Sequence, residues 1–429
     1  MIRKLCLKED AQLIETLINR NQFEFNTVND DVLTILKTVK DNGDQALHDY
    51  SKQFDGVDLD AFKVSDDEIR AAFDAIDPPL LRDLKTALSN IQTYHQKQGF
   101  HRFELKQPDG VVLGQRVKAI ESVGIYVPGG TASYPSTVLM NAVPAKIAGV
   151  KNLVMVTPPR KDGSIKASIL VAASLAGVDA VYKLGGAHSI AALAFGTSTV
   201  PKVDKIVGPG NIYVSMAKKF VSGYVGIDMV AGPSEILILA DATANPDEVA
   251  ADLMGQAEHD VLASSVLITP SPTLADRVME SLQRQLPTME RQNIIAQSLR
   301  DYGAIITTDT LEEAIDIANR MAPEHLEILT ATPFEVLEKI ENAGSIFLGS
   351  YTPEPVGDYL AGPNHTLPTS GTARFSSPLS TSDFQKKSSY LYYSKKALKK
   401  HGPSIMRIAN EEGLGAHAHA IRVRMDKEE

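Results

Sequence analysis

Two series of short apolar runs constrain this chain more than any other feature. From residue 123 onward such runs fall at 123–127, 153–156, 178–184, 203–207 and 225–230, then at 236–240, 265–269, 304–307, 326–330 and 345–348. Helix-period patterns and Gly/Pro turns lie between them. Strand, helix and strand at that spacing make βαβ units, so each series predicts a parallel sheet. Two series of five predict two similar α/β layers. The residues of the two series do not repeat; only the rhythm is shared.

The chain before residue 123 is mostly helical in pattern. Residues 1–24 read as a helical arm with Leu5, Leu7, Leu13, Ile14, Leu17 and Ile18 on its apolar side. Stripes at Leu33, Ile35, Leu36 and Val39, at Ile69, Ala72, Phe73 and Ile76, and at Leu84, Leu88 and Ile91 predict further helices. A strand pair at 103–105 and 111–117 then leads into the core.

Size and charge narrow the class. The 429 residues, 43% hydrophobic and 22% charged, suffice for two or three domains. A net charge of -10 argues against a nucleic-acid partner, which needs a positive field. No run of about 18 apolar residues exists, so no membrane-spanning helix is expected. Lys8, Glu9 and Asp10 bring charge too early for a signal-peptide core. The single cysteine, Cys6, excludes an internal disulfide and a zinc site built on several thiolates, and fits a cytoplasmic location.

The chemistry-bearing residues gather in a few stretches. Asn245, Pro246 and Glu248 form a helix start, with Val249, Ala250, Leu253, Met254 and Ala257 as its apolar stripe. Asp252, Gln256 and His259 share another face at steps of four and three. On spacing alone that face is either solvated or a cation site. Thr310 and Glu313 frame a second helix that Pro323 stops, and Glu324-His325 follows at a strand entrance, a pairing suited to proton transfer. Residues 349–378 form a long Gly/Pro-rich loop holding Asp358, a plausible oxygen ligand, and His365.

Nucleotide signals are weaker. No GxGxxG occurs; Gly208-Pro-Gly210-Asn211-Ile-Tyr213 lacks the third glycine. Tyr126-Val-Pro-Gly129-Gly130 and Gly185-Gly186-Ala-His188 are helix-start turns that either bind an anion or simply need glycine's dihedrals. In the tail, Lys386, Lys387, Lys395, Lys396, Lys399 and Lys400 read as a solvated helix face, and 411–419 as the end of the last clear helix. A short apolar pattern at a chain end is expected to dock on a partner subunit.

Together these segments resemble the histidinol dehydrogenase family over nearly the whole chain. The matching segments are IDMVAGPSEILILA…ADLMGQAEH, YVPGGTASYPSTVLMNAVPAKIAGV, GPGNIYV, MAPEHLE, GDYLAGPNHTLPT and EEGLGAHAHA, in the family's order. The resemblance implies four-electron oxidation of L-histidinol to L-histidine by two NAD, in homodimers with one zinc per active site. It implies Gln256, His259, Asp358 and the partner subunit's His417 as zinc ligands, with Glu324 and His325 as the acid–base pair. Ser234, His365 and Glu412 fall at positions near the substrate, which the ligands and His325 also touch. Tyr126, His188 and Asn211 fall at cofactor positions; the family usually has Gln where His188 stands, and a histidine cannot offer an amide's oxygen and NH₂ together.

The implied fold is α/β, with two incomplete Rossmann-like domains, one inserted in the other. The divisions expected are a helical arm at 1–24, a first domain at 25–125 plus 235–378, an inserted cofactor domain at 126–234, and a dimerisation tail at 379–429. Because Cys6 matches no site motif, a hydrated aldehyde is expected in place of a thiohemiacetal. Rival readings are a zinc-dependent dehydrogenase of another small diol or sulfonated alcohol, a metal-dependent hydrolase without NAD, and a catalytically idle binding protein.

Overall fold

The computed structural model describes residues 2–19, 28–129 and 133–426. Gly130 of the first glycine turn and residues 20–24 of the expected arm lie outside the described residues. In chain order the strands are β1 (Arg3–Cys6), β2 (Phe103–Lys106), β3 (Val112–Ala119), β4 (Ser122–Tyr126), β5 (Asn152–Thr157), β6 (Ala180–Lys183) and β7 (Lys205–Val207). Then follow β8 (Gly226–Ile227), β9 (Glu235–Ala240), β10 (Ser264–Thr269), β11 (Ala304–Thr307), β12 (His325–Leu329), β13 (Ser345–Leu348) and β14 (Gln385–Tyr392).

The first apolar series forms a parallel sheet in the order β6-β5-β4-β7-β8. The second forms a parallel sheet in the order β1-β11-β10-β9-β12-β13. Counted within its own series, each follows third-second-first-fourth-fifth, the doubly wound order. The shared rhythm is therefore a shared topology. The runs show no polar alternation because helices cover both faces of each sheet. Ile236, Leu237, Ile238, Leu239 and Ala240 are all buried for this reason.

Several expectations need correction. The arm is not wholly helical: Arg3–Cys6 adds a parallel edge strand beside β11, and only Ala11–Ile18 is helix. Arg3 and Lys4 are exposed while Leu5 is buried, as an edge strand allows. Residues 28–62 do not belong with 235–378. Val32, Leu36, Val39, Leu47 and Phe62 share a core with Val156, Leu184, Ile190 and Val214 of the first-series sheet, and β4 itself starts before the expected boundary at 126. Finally, the chain past 411 does not end its helices: Gly415–Met425 forms another.

A second compact unit comprises 99–119 and 384–429. Its antiparallel sheet has the order β14-β3-β2, so the strand pair groups with the tail. Lys386 and Lys387 lie on β14, an edge strand where charge discourages further pairing, rather than on a helix. Helices Lys395–Glu411 and Gly415–Met425 pack together, with the sulfur of Met425 and the side chain of Ile421 against Gly402. Among the described residues, no helix is long and apolar enough to cross a membrane.

Candidate active site

The acid–base pair stands where β9 and β12 begin. Helix Leu311–Met321 starts with the expected Thr310–Glu313 capping box. It ends at Ala322, a non-glycine residue held at φ 47, and Pro323 cannot continue it. The chain is thus delivered at a fixed angle into Glu324 and His325. Gly344 lies against the Glu324 carbonyl so closely that a Cβ would sit 2.5 Å from its oxygen. The Ser345 N–H then donates to that oxygen at 2.8 Å. Glu324 Oε2 accepts the Glu235 N–H at 2.9 Å.

His325 is buried, and its Nδ1 lies 3.0 Å from the Glu235 carbonyl oxygen. A carbonyl can only accept, so Nδ1 carries a proton, and Nε2 is the acceptor in the neutral ring. Nε2 is buried with no hydrogen-bond partner among the described residues. It lies 3.8 Å from Glu354 Oε1 and 4.0 Å from Asp358 Oδ1, while Glu324 Oε2 is 3.7 Å from Nδ1. His325, Glu354 and Asp358 offer ligand atoms within 4.8 Å of one another.

Helix Pro246–Ala257 aims its last turn at the same place. Asn245 caps it by accepting from the Asp247 N–H, and its side chain donates to Glu248, a variant of the expected box. Gln256 is completely buried, and neither amide atom has a hydrogen-bond partner among the described residues. Each such buried polar group costs about 1–3 kcal/mol until something binds it. His259, just past the helix, lies near enough to Asp358 and His325 to feel both charges, though burial dominates and lowers its pKa.

Asp252 departs from the cation reading. It hydrogen-bonds Glu327, two residues beyond His325 on the same face of β12, and burial pushes its pKa up to about 6. Glu327 also accepts the Glu354 N–H at 2.8 Å. Burial first, then neighbouring carboxylates, hold Glu327 and Glu354 well above the usual range. Crowded carboxyls cannot all ionise, so this trio, which reaches His325 through Glu354, retains protons.

The long loop has structure of its own. Residues Glu354–Val356 run into a π-helical turn, Gly357–Ala361, that carries Asp358. His365 secures this turn. Its Nδ1 donates to the Asp358 carbonyl at 3.0 Å, and its Nε2 accepts from the Thr137 hydroxyl at 3.2 Å. Ser234 is half-buried just before β9, and its carbonyl accepts the Ser264 N–H at 3.0 Å.

At the other end of the first-series sheet is a cavity of about 1440 Å³ lined by Tyr126, His188 and Asn211 together. It lies beyond the carboxyl ends of β4–β7, where doubly wound sheets bind ligands. Gly208 is held at φ 112, and a Cβ there would fall 2.1 Å from the Tyr126 carbonyl oxygen, so only glycine fits. Lys218 donates to the Gly208 carbonyl at 2.8 Å and Asp228 accepts the Gly208 N–H at 2.7 Å. Lys218 and Asp228 pair with each other, both buried at the side chain. The turn is therefore clamped, and Asn211 caps the next helix by accepting from Val214 N–H at 3.1 Å. His188 is buried beside Tyr50 and Phe54, its pKa lowered to about 4 by burial, and neither ring nitrogen has a partner among the described residues.

Of the sequence candidates, His259, Glu324, His325, Asp358 and His365 converge, Gln256 lies three residues before His259 at the end of its helix, Ser234 precedes Glu235, and the three cofactor candidates share the cavity. Glu412 and His417 are exposed on the helical pair of the second unit. Glu354 and Glu327 escaped sequence reasoning. Glu354 sits between two prolines without periodicity, while the step of two from His325 to Glu327 on a strand was a usable signal.

A histidinol dehydrogenase family model matches residues 18–425. A histidinol dehydrogenase from Clostridium acetobutylicum is 56% identical over 417 residues, covering 97% of this chain and 93% of that protein. One from Geobacillus kaustophilus is 54% identical, covering 93% of this chain and 94% of that protein. The crystal structure of histidinol dehydrogenase from Elizabethkingia anophelis superposes with a TM-score of 0.93 at 39% identity, covering 99% of this chain and 98% of that one.

Proposed function

The chain belongs to the histidinol dehydrogenase family, and on that footing we propose how its own residues perform the reaction. That reaction is the NAD-dependent oxidation of L-histidinol to L-histidine, the last step of histidine biosynthesis, in a family that uses zinc. Gln256, His259 and Asp358 hold the zinc, joined by the partner subunit's His417. The orphaned amide of Gln256 supports this set, since a metal satisfies the oxygen that no protein group reaches. Tyr126, His188 and Asn211 hold NAD in the cavity. Bound zinc anchors and polarises the amino alcohol, and bound NAD accepts hydride in each of two rounds.

The protein's part is proton handling. His325 Nε2 takes the hydroxyl proton while Nδ1–H stays on the Glu235 carbonyl, which keeps the ring in one tautomer and orientation. Glu324, Glu354 and Asp358 surround the resulting imidazolium. In the second round Glu324 takes a proton from the water that adds to L-histidinaldehyde, and His325 takes one from the hydrate. Cys6 lies on the edge strand β1, so no thiol takes part. The free Nε2 of His325, facing Glu354 and Asp358, is the observation that carries this reading.

Ser234, His365 and Glu412 border the substrate. Exposed Glu412 and His417 on a paired-helix tail suit a homodimer with shared sites, and the 379–429 segment is its dimerisation element. The five-stranded sheet is the cofactor domain inserted before 235–378. A net charge of -10 and a single cysteine favour a cytoplasmic enzyme without nucleic-acid or membrane partners. The test is turnover with L-histidinol and NAD. Two NADH per histidine, lost on chelation and restored by zinc, support the reading; turnover on other small diols but not histidinol refutes the substrate.

A further inference from the structure

Among the described residues, two π-helical turns stand out. One, Gly357–Ala361, presents Asp358 to the acid–base cluster; the other is Ser51–Asp55. Such turns are rare and recur at functional positions. The second ends on Asp55, and Gly56 follows in the left-handed conformation at φ 70. The chemistry above leaves Asp55 without a role.

Asp55 lines the cavity, and its Oδ2 is buried with no hydrogen-bond partner among the described residues. No ion pair reaches it there, and burial alone pushes its pKa up to about 6. Its charge is felt by the Tyr126 phenol. A carboxylate oxygen buried without a donor, on a half-buried residue, calls for a ligand that brings one. The adjacent wall is aromatic: Tyr50 and Phe54 stack with planes 2° apart and centroids 5.4 Å apart. Cations, Arg160 and Lys161, also line the cavity, from the loop after β5.

A dinucleotide offers matching chemistry for each part. Pyrophosphate suits the cations and a base suits the aromatic wall. The vicinal ribose hydroxyls are the paired donors that a carboxylate accepts. The nicotinamide end must approach His325, whereas Asp55 and its neighbours belong to the segment packed on the five-stranded sheet. Resting on the cofactor reading of this cavity, we propose that Asp55 accepts the adenosine-ribose hydroxyls of NAD and rejects the 2′-phosphate of NADP, setting cofactor choice. The 2′-phosphate removes one donor and brings a charge near -2 against the carboxylate.

Calorimetric titration of the zinc-loaded, substrate-free protein with NAD and with NADP tests this. The unaltered protein is expected to prefer NAD by roughly 100-fold. Asp55→Asn keeps an acceptor and is expected to narrow that ratio to within about tenfold, mainly by gaining NADP. Asp55→Ala is expected to weaken NAD by about 10- to 100-fold, the range for a hydrogen bond to a charged group. Hydrogen exchange run in parallel separates the two levels of the argument. NAD protection of residues 50–56 and 126–129 with an unchanged ratio in Asp55→Asn overturns the role of Asp55 alone. NAD binding that protects neither segment overturns the cavity reading and the role of Asp55 together.

Discussion

The two parallel sheets share one strand order yet carry their candidate residues at opposite ends. The five-stranded sheet uses the carboxyl ends of its strands, where Tyr126 closes β4 and Asn211 follows β7. The six-stranded sheet uses its amino ends, where Glu235 opens β9 and His325 opens β12. In a βα repeat these ends differ electrically. The cavity receives the N-terminal turns of helices Gly186–Phe195 and Ile212–Val221, which carry partial positive charge. The acid–base cluster receives the C-terminal ends of Pro246–Ala257 and Leu311–Met321, which carry partial negative charge. A phosphate-bearing cofactor suits the first end. An imidazolium or a metal cation suits the second, by about 0.3–1 kcal/mol per helix end.

Substitutions at one end should leave the other intact. The largest effect is expected from His325→Asn, which removes the base and should lower kcat by roughly 10²- to 10⁴-fold. Zinc content should stay unchanged, because in this account Nε2 is the proton acceptor and not a ligand of the metal. Zinc loss in that variant would instead assign the ion to the His325, Glu354 and Asp358 group. Next comes Lys218→Met, which leaves Asp228 buried and unpaired. It should cost about 3–5 kcal/mol in denaturant unfolding. It should also weaken NAD while sparing zinc, since the clamped turn holds Asn211.

Glu324→Gln should slow the aldehyde step by about 10²-fold and spare alcohol oxidation. Rapid-quench analysis of the two half-reactions checks this; equal loss in both would remove the division of labour between Glu324 and His325. The smallest effect concerns His188. Its folded-state pKa is lowered to about 4, so the unfolded chain binds a proton that the native one refuses. Stability should therefore fall as pH drops through the interval from 6.5 towards 4, by about 2 kcal/mol between pH 7 and pH 5. His188→Gln should lack that component when the two melting profiles are compared.

Much of this was legible in the sequence, for physical reasons. Strands buried on both faces must be continuous apolar runs, and β9, β10, β11 and β12 were visible as such. Caps at Asn245 and Thr310 and the stop at Pro323 are local chemistry, so the helices that aim Gln256 and Glu324 were readable too. What failed was non-local. Nothing in the stripe of Val32, Leu36 and Val39 says which sheet it covers, so the segment was assigned to the wrong one. The strand at Arg3–Cys6 is half charged because it is an edge. Asp252 lay on the right helix face but found Glu327 there, a carboxyl hidden inside an apolar run. Asp55 and Asp358 depend on π-helical turns, which have no periodicity to read.

The division between the two ends is tested most directly by measuring zinc content and NAD affinity together in two variants, His259→Ala and Asn211→Ala. The account predicts a crossed result: the first loses zinc and still binds NAD, and the second keeps zinc and loses NAD. Joint loss of both ligands in either variant, with the fold intact, would contradict it.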